Sequence, residues 1–424
     1  MKVLMYFVSN VLSEPAFLIG LVALIGLLAQ KKGFNEIVAG TVKTMVGFLL
    51  ITTGAQSMGM SLMPMQSMLQ HIFGLQAEVA DIGAAVGQSM ASIGATATLI
   101  FGIGFLVNVL LARFTRYKYI HLSAHVSFFY AGLIGALLTY NTGLSSAMVV
   151  IIGSILLGLY MTLTCAYIAP LMKDIPGGEG FTLAHSSSIG CWISAKAGKL
   201  VGKNSRSLEE IKLPKHLEFL RETTIGLTVI MSIIFLIVSL IAGPGFVMEE
   251  LSEGKDIVIF SILNGLMFGL WITVIITGVR MMLSEIVPAF HGISNKIVPD
   301  AIPGLDIPLL FPNHPTSVII GFLTSLIASL IGMAILGAVG YPVVVFPALI
   351  PTFFTGAVTA IFGNSTGGRR GAIVGSFING LILIFGQAFL IQYIGDYEPV
   401  MRVLCETDYA FYGPIFGKLL TIFK

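Results

Sequence analysis

The chain has 424 residues, of which 56% are hydrophobic and 10% charged, with a net charge of +2 and a mean hydropathy of +0.94. Soluble globules carry about a quarter charged residues, so a soluble enzyme is excluded and a polytopic membrane protein remains. The small net charge gives no footing for nucleic acid. Cys165, Cys191 and Cys405 are far apart and form neither a metal-ligand spacing nor a paired framework, so buried free thiols are expected and neither metal nor cofactor.

The early apolar run is interrupted by Asn10, Ser13 and Glu14 and has no small-residue cleavage site, so it reads as a retained span. Runs near the ~20 residues needed to cross a bilayer place ten spans at 7–30, 36–56, 93–113, 124–141, 143–170, 223–245, 257–280, 316–339, 342–364 and 371–394. Lys31, Lys32, Arg113 to Lys118, Lys173, the 196–221 loop, Arg280, Lys296, Arg369 and Arg370 all fall on one side of this arrangement. The other side keeps Lys2, Lys255, Arg402, Lys418 and Lys424, so the first side is cytoplasmic and the N-terminus is outside.

Two segments are neither spans nor simple loops. Residues 176–194 leave and return on the cytoplasmic side and read as a re-entrant hairpin; residues 396–424 read as its counterpart from outside. The halves 1–205 and 215–424 then share one plan in opposite orientation: two spans, an amphipathic connector, three spans and a hairpin. Inverted repeats of this kind put substrate near the midplane. The expected fold is therefore all-α, about ten transmembrane helices plus two re-entrant hairpins.

The most unusual stretch is Ile297 to Pro315, which packs five prolines with Asp300, Asp306 and His314 between apolar runs. Broken backbone is tolerated at membrane depth only where protein or a water-filled cavity satisfies it, and transporters bind solutes at such breaks. Asp306 is a functional candidate on that ground, or else a cap for the following span. His125 lies about 10 Å inward of Lys118 at ~1.5 Å per residue, and reads as a ligand or a satisfied core histidine. His185, followed by Ser186, Ser187 and Ser188 at the hairpin tip, suits a polyol or caps its own hairpin. Lys43 snorkels or pairs within the second span. Asn364 to Arg370 reads as a basic cytoplasmic turn.

Several stretches resemble the membrane IIC subunit of the bacterial phosphoenolpyruvate-dependent phosphotransferase system (PTS), in its L-ascorbate-type branch, with galactitol-type IIC more distant. They are Val46-Gly-Phe-Leu-Leu50 leading to Gly54, Leu122-Ser-Ala-His125 with Ala131-Gly132, and Gly180-Phe-Thr-Leu-Ala-His185. Others are Lys212-Leu-Pro-Lys-His216, Gly278-Val-Arg-Met281, Ala289-Phe-His-Gly-Ile-Ser294, Leu305-Asp306 and Gly363 to Arg370. The resemblance implies a homodimer in the bacterial inner membrane, with a scaffold (1–75 and 206–298) and a core (76–205 and 299–424) that slides as an elevator. It maps substrate contacts to His125, His185 and Asp306, with Gly54 and Ala55 facing the sugar from the scaffold.

The ascorbate branch has a glutamine pair where this chain has Phe129 and Tyr130, and glutamines where it has Ser186 to Ser188. That exchange removes long amide donors and acceptors, so Phe129 and Ser186 join the candidate contacts and another small sugar, sugar acid or polyol competes with ascorbate. The implied mechanism is group translocation. A separate cytoplasmic IIB protein, charged in turn by IIA, transfers its phosphoryl group to the carried sugar, with His185 as hydrogen-bond partner or base. The alternatives are a proton-coupled secondary transporter using Asp306 and the histidines, and a channel.

Overall fold

The protein is described here by a computed structural model covering residues 15–74, 82–211, 214–343 and 345–423. Residues 7–14 of the first predicted span lie outside them. In hydrocarbon the backbone must pair within its own segment, so the long apolar runs fold as helices. In chain order these are α1 (Pro15–Ala29), α2 (Phe34–Ile72), α3 (Ile82–Phe114), α4 (Ala124–Asn141), α5 (Ser146–Met172) and α6 (Ser188–Val201). They continue as α7 (Thr223–Ala242), α8 (Ile257–Lys296), α9 (Pro315–Ala338), α10 (Leu349–Leu390), α11 (Glu398–Leu404) and α12 (Thr407–Leu420). Among the described residues, seven helices are long and apolar enough to cross a membrane by length and composition.

Capping explains several boundaries. Ser145, Glu222 and Asp256 accept from backbone N–H groups in the first turns of α5, α7 and α8, using donors the helix itself leaves unpaired. Helix α4 coincides with the span expected at 124–141. Helices α2 and α8 do not stop where hydrophobicity falls: they run 39 and 40 residues, so the segment expected as a connector after residue 56 is a continuation of α2. Helix α10 is two helices joined at Gly367 and Gly368, where Gly368 has φ 53°, a conformation open to glycine. The chain reverses there, and Asn379 Nδ2 on the second arm donates to Thr355 Oγ1 on the first at 2.9 Å.

Helices α1, α2, α7 and α8 pack on one another. Their contacts run through glycines: a Cβ on Gly47 would stand 2.7 Å from the Met282 nitrogen, and one on Gly278 would stand 2.6 Å from the Gly47 oxygen. Small residues let helices approach this closely, which is how dispersion holds helices together where lipid is as apolar as the side chains. A second group forms as α3 packs on α4 and α5, and α10 packs on α6, α9 and α12.

A fold expected to be all-α also contains a small sheet. Strands β1 (Tyr119–His121), β2 (Thr182–Leu183) and β3 (Ile302–Leu305) pair in parallel in the order β1-β3-β2. The register aligns His121 with Gly304 and Leu183 with Leu305. Gly304 is required at the centre, since a Cβ there would lie 2.9 Å from both the Ala184 Cβ and the Cys165 sulfur. The strands follow the loops 115–118, 173–181 and 297–301, which all lie on the side that the charge distribution leads one to expect is cytoplasmic.

Candidate functional site

The parallel register decides what happens at the strand ends. Because β1, β2 and β3 point the same way, the residues that follow them emerge together: His125 in the first turn of α4, His185 two residues after β2, and Asp306 directly after β3. Three residues separated by up to 181 positions in sequence thereby become neighbours. His125 Nε2 lies 3.6 Å from Asp306 Oδ2, and His185 Nε2 lies 3.7 Å from Asp306 Oδ1. These separations are ion-pair distances, too long for direct hydrogen bonds. The Nδ1 of His125 is buried without a hydrogen-bond partner.

Asp306 caps a short turn rather than the following span. Its Oδ1 accepts from the Ile307 backbone N–H at 2.8 Å, capping the 3-10 turn Ile307–Asn313, and its carboxylate also faces the two imidazoles. The serines after His185 are largely consumed by the protein. Ser188 Oγ donates to the His185 carbonyl at 2.8 Å, Ser187 Oγ lies 3.2 Å from His185 Nδ1, and Ser186 Oγ donates to Glu406.

These groups border a cavity of about 400 Å3, within the range of ~300–1,000 Å3 typical of small-molecule sites. One wall is α2, contributing Thr52, Ala55 and Gln56; the opposite wall carries His125, Phe129, His185 and Asp306. Of the expected contacts, Gly54 and Ser186 do not line it. Successive helix residues turn by ~100°, so the face that presents Ala55 and Gln56 to the cavity turns Gly54 toward α8, where its Cβ would meet Ile275 at 2.7 Å. The Ser186 side chain is fully buried.

Sequence reasoning missed Glu406. It lies between α11 and α12 at the tip of the second predicted hairpin, lines the cavity, and places Oε2 3.5 Å from His185 Nδ1. The rule that drew attention to Asp306, a carboxylate within an apolar segment, applied equally here. The two tips are bonded together: Asp408 N–H donates to the Ser186 carbonyl at 2.7 Å, and the Asp408 carboxylate accepts from Ile189 N–H at 2.9 Å and Tyr160 Oη at 2.8 Å. The three cysteines are buried and free. Lys43 pairs with Glu285 of α8 at 3.0 Å.

Long apolar helices around a largely apolar cavity, into which broken backbone brings a few convergent polar groups, are the layout of a multi-pass membrane permease. Residues 10–408 match the family described as the PTS system sugar-specific permease component (EIIC-GAT), and the chain belongs to that family. It is accordingly a multi-pass protein of the bacterial cytoplasmic membrane. It is similar to the ascorbate-specific PTS system EIIC component of Mycoplasma pneumoniae (strain ATCC 29342 / M129 / Subtype 1), with 26% identity over 450 aligned positions covering 92% of this chain and 67% of that protein.

Proposed function

We propose that the protein is the transport subunit of a phosphoenolpyruvate-dependent system, carrying L-ascorbate or a related small sugar, sugar acid or polyol inward for phosphorylation by a separate IIB protein. The observation that carries this reading is the convergence of His125, His185 and Asp306 at three parallel strand ends, facing α2 across a sugar-sized cavity. Phosphoryl transfer depends mainly on positioning and charge stabilisation. The chain's share is to hold a hydroxyl in line, with His185 as its hydrogen-bond partner or base.

An elevator movement is supported by how the cavity is divided. Its α2 wall belongs to the group α1, α2, α7 and α8, the scaffold of 1–75 and 206–298; the remaining wall belongs to the core of 76–205 and 299–424. Ten crossings in two inverted repeats are supported by the reversal within α10 and by the likeness of α2 and α8, nearly equal in length with a proline late in each, Pro64 and Pro288. Family membership supports a homodimer whose cytoplasmic basic loops receive IIB.

A proton-coupled symporter is the second reading, favoured by the contiguous titratable groups His125, Asp306, His185 and Glu406. The test is uptake of labelled L-ascorbate and a panel of pentoses, sugar acids and polyols into membrane vesicles, with and without phosphoenolpyruvate and the complete soluble relay. Accumulation of a sugar phosphate only with the relay supports group translocation. Accumulation of unmodified solute without it replaces that reading with the symporter.

A further inference from the structure

On the reading that this is a sugar carrier, the two walls of the cavity contribute polar groups of different standing. Those on the wall opposite α2 are already engaged with the protein or with one another: Asp306 Oδ1 accepts from Ile307 N–H at 2.8 Å, Tyr409 Oη donates to the Val126 carbonyl at 2.8 Å, Glu406 accepts from Ser186, and both imidazoles face Asp306. On α2, Thr52 Oγ1 turns back onto the Phe48 and Leu49 carbonyls at 3.2 Å. Gln56 differs from all of these. It is exposed, it lines the cavity, and its amide makes no hydrogen bond among the described residues.

The backbone that carries this amide is held on two sides. Thr52, Ala55, Gln56, Met60 and Met63 share one face of α2, while the glycine contacts at Gly47 and Gly54 lock the other face against α8. One turn beyond Gln56, a Cβ on Gly59 would run into the Ile350 side chain on the first arm of α10, so α2 touches the opposite wall directly at that level. Gln56 is therefore presented to the cavity from a fixed position, and its neighbours Ile51, Ala55, Met60 and Met63 offer a solute only apolar surface. An amide carries an acceptor oxygen and a donor nitrogen side by side. That arrangement pairs with two neighbouring hydroxyls, accepting from one and donating to the other, whatever charge the rest of the solute bears.

We propose that Gln56 is a specificity-determining residue of the solute site, reading a vicinal pair of hydroxyls from the α2 wall while His125, His185 and Asp306 hold the solute from the other. A solute gripped at both walls is measured by the distance between its hydroxyls, so chain length and stereochemistry decide what fits. Sites built to hydrogen-bond a hydroxyl reject the analogue that lacks it, because the group left behind goes unpaired.

The experiment uses the full chain in lipid nanodiscs, with calorimetric binding of L-ascorbate, pentoses, sugar acids and polyols, followed by each single-deoxy analogue of the tightest binder. In wild type, two of the weakened analogues lack adjacent hydroxyls, each binding about tenfold less tightly than the parent. Gln56→Leu and Gln56→Met remove the amide from a face open to the cavity and keep good helix formers on α2. Each should bind the parent about tenfold less tightly and lose the penalty at those two positions alone, a pattern that a merely structural change would not single out. Either variant, melting as wild type does, that binds the parent with wild-type affinity overturns the proposal, as does a penalty that survives at every position; the carrier reading then stands. A wild type with no adjacent pair of penalised hydroxyls overturns it without any variant. If no solute binds wild type and none is taken up, the carrier reading fails and the proposal falls with it.

Discussion

Two junctions in this molecule achieve close approach by opposite means. Where α2 crosses α8, backbone meets backbone through Gly47 and Gly278. Where the segments leading into α6 and α12 meet each other and their neighbours, contact is carried by hydrogen bonds: Asp408 to Ile189 and Tyr160, Ser186 to Glu406, and Thr407 Oγ1 to Asn379 Oδ1 at 2.6 Å. The first depends on the absence of side chains and tolerates no addition. The second depends on particular polar atoms, so a removal disturbs it more than a conservative exchange. Dispersion along a glycine seam is nearly indifferent to which polar groups lie elsewhere, whereas a buried polar network specifies one geometry and penalises each unpaired member.

The largest expected effect is on the polar side. Asp306→Asn and His185→Ala each remove a group facing the cavity from two directions, and hydrogen bonds to charged groups contribute about 1.5–3 kcal/mol apiece. Uptake should fall by about tenfold to a hundredfold for either variant, where each 1.4 kcal/mol is about tenfold. The protein should still insert and elute as a single species from size exclusion. Wild-type uptake by either variant would remove that residue from the site.

Next comes the glycine seam. Gly278→Leu drives a side chain into the Gly47 carbonyl and the Leu50 side chain, and overpacking of this kind costs about 1–3 kcal/mol or more. The fitting control is Gly87→Ala on α3, where a Cβ meets nothing within 4 Å and helix propensity gains about 0.5–1 kcal/mol. Thermal unfolding in detergent should separate the two variants in opposite directions. Equal shifts would mean that the seam is looser than its geometry indicates.

Between these lies Asn379→Ala. Asn379 donates to Ser325 Oγ on α9 and Thr355 Oγ1 on the first arm of α10, and accepts from Thr407 on α12, so one amide ties three helical segments. Interhelical hydrogen bonds in membranes contribute about 0.6 kcal/mol on average and up to ~1.7. Losing three together should cost about 2 kcal/mol, read as lower thermal stability, with uptake reduced less than in Asp306→Asn. An unchanged melting temperature would show that the bonds are replaced elsewhere.

The contrast between the junctions also explains what was legible in the sequence. Helices α4, α5, α7 and α9 lie within three residues of the predicted ranges at either end, because hydrophobicity rises and falls where they begin and end. The ends of α2 and α8 were not legible, since a helix packed along another continues past its apolar stretch on tertiary contacts. The sheet left no periodic signal: strands of two to four residues at the edges of broken segments are too short for alternation to register. His125, His185 and Asp306 were individually visible as polar groups at apolar depth. Their meeting depends on the parallel register, which a single sequence does not encode locally. The family resemblance gave Gly54 a position along α2 without its rotation, and the structure turns it toward α8. Glu406 was legible by the same rule as Asp306 and was overshadowed by the proline-rich break.

The smallest expected effect tests whether the two kinds of junction remain distinct where they overlap. Tyr397, fully buried after the second arm of α10, donates through Oη to the Phe129 carbonyl at 2.9 Å while its ring lies directly on Gly132 of α4. Here a glycine contact and a hydrogen bond share one side chain. Tyr397→Phe keeps the ring and removes the donor, so it should cost about 0.5–1.5 kcal/mol of stability and leave uptake within about twofold, since Tyr397 itself does not line the cavity. Gly132→Ala keeps the donor and forces the ring away from α4, so it should cost more than the lost hydrogen bond and displace Phe129 with it. If the tyrosine variant proves the more damaging of the two, the polar bond rather than the close packing holds α4 in place, and the position of Phe129 in the cavity wall is fixed by Tyr397.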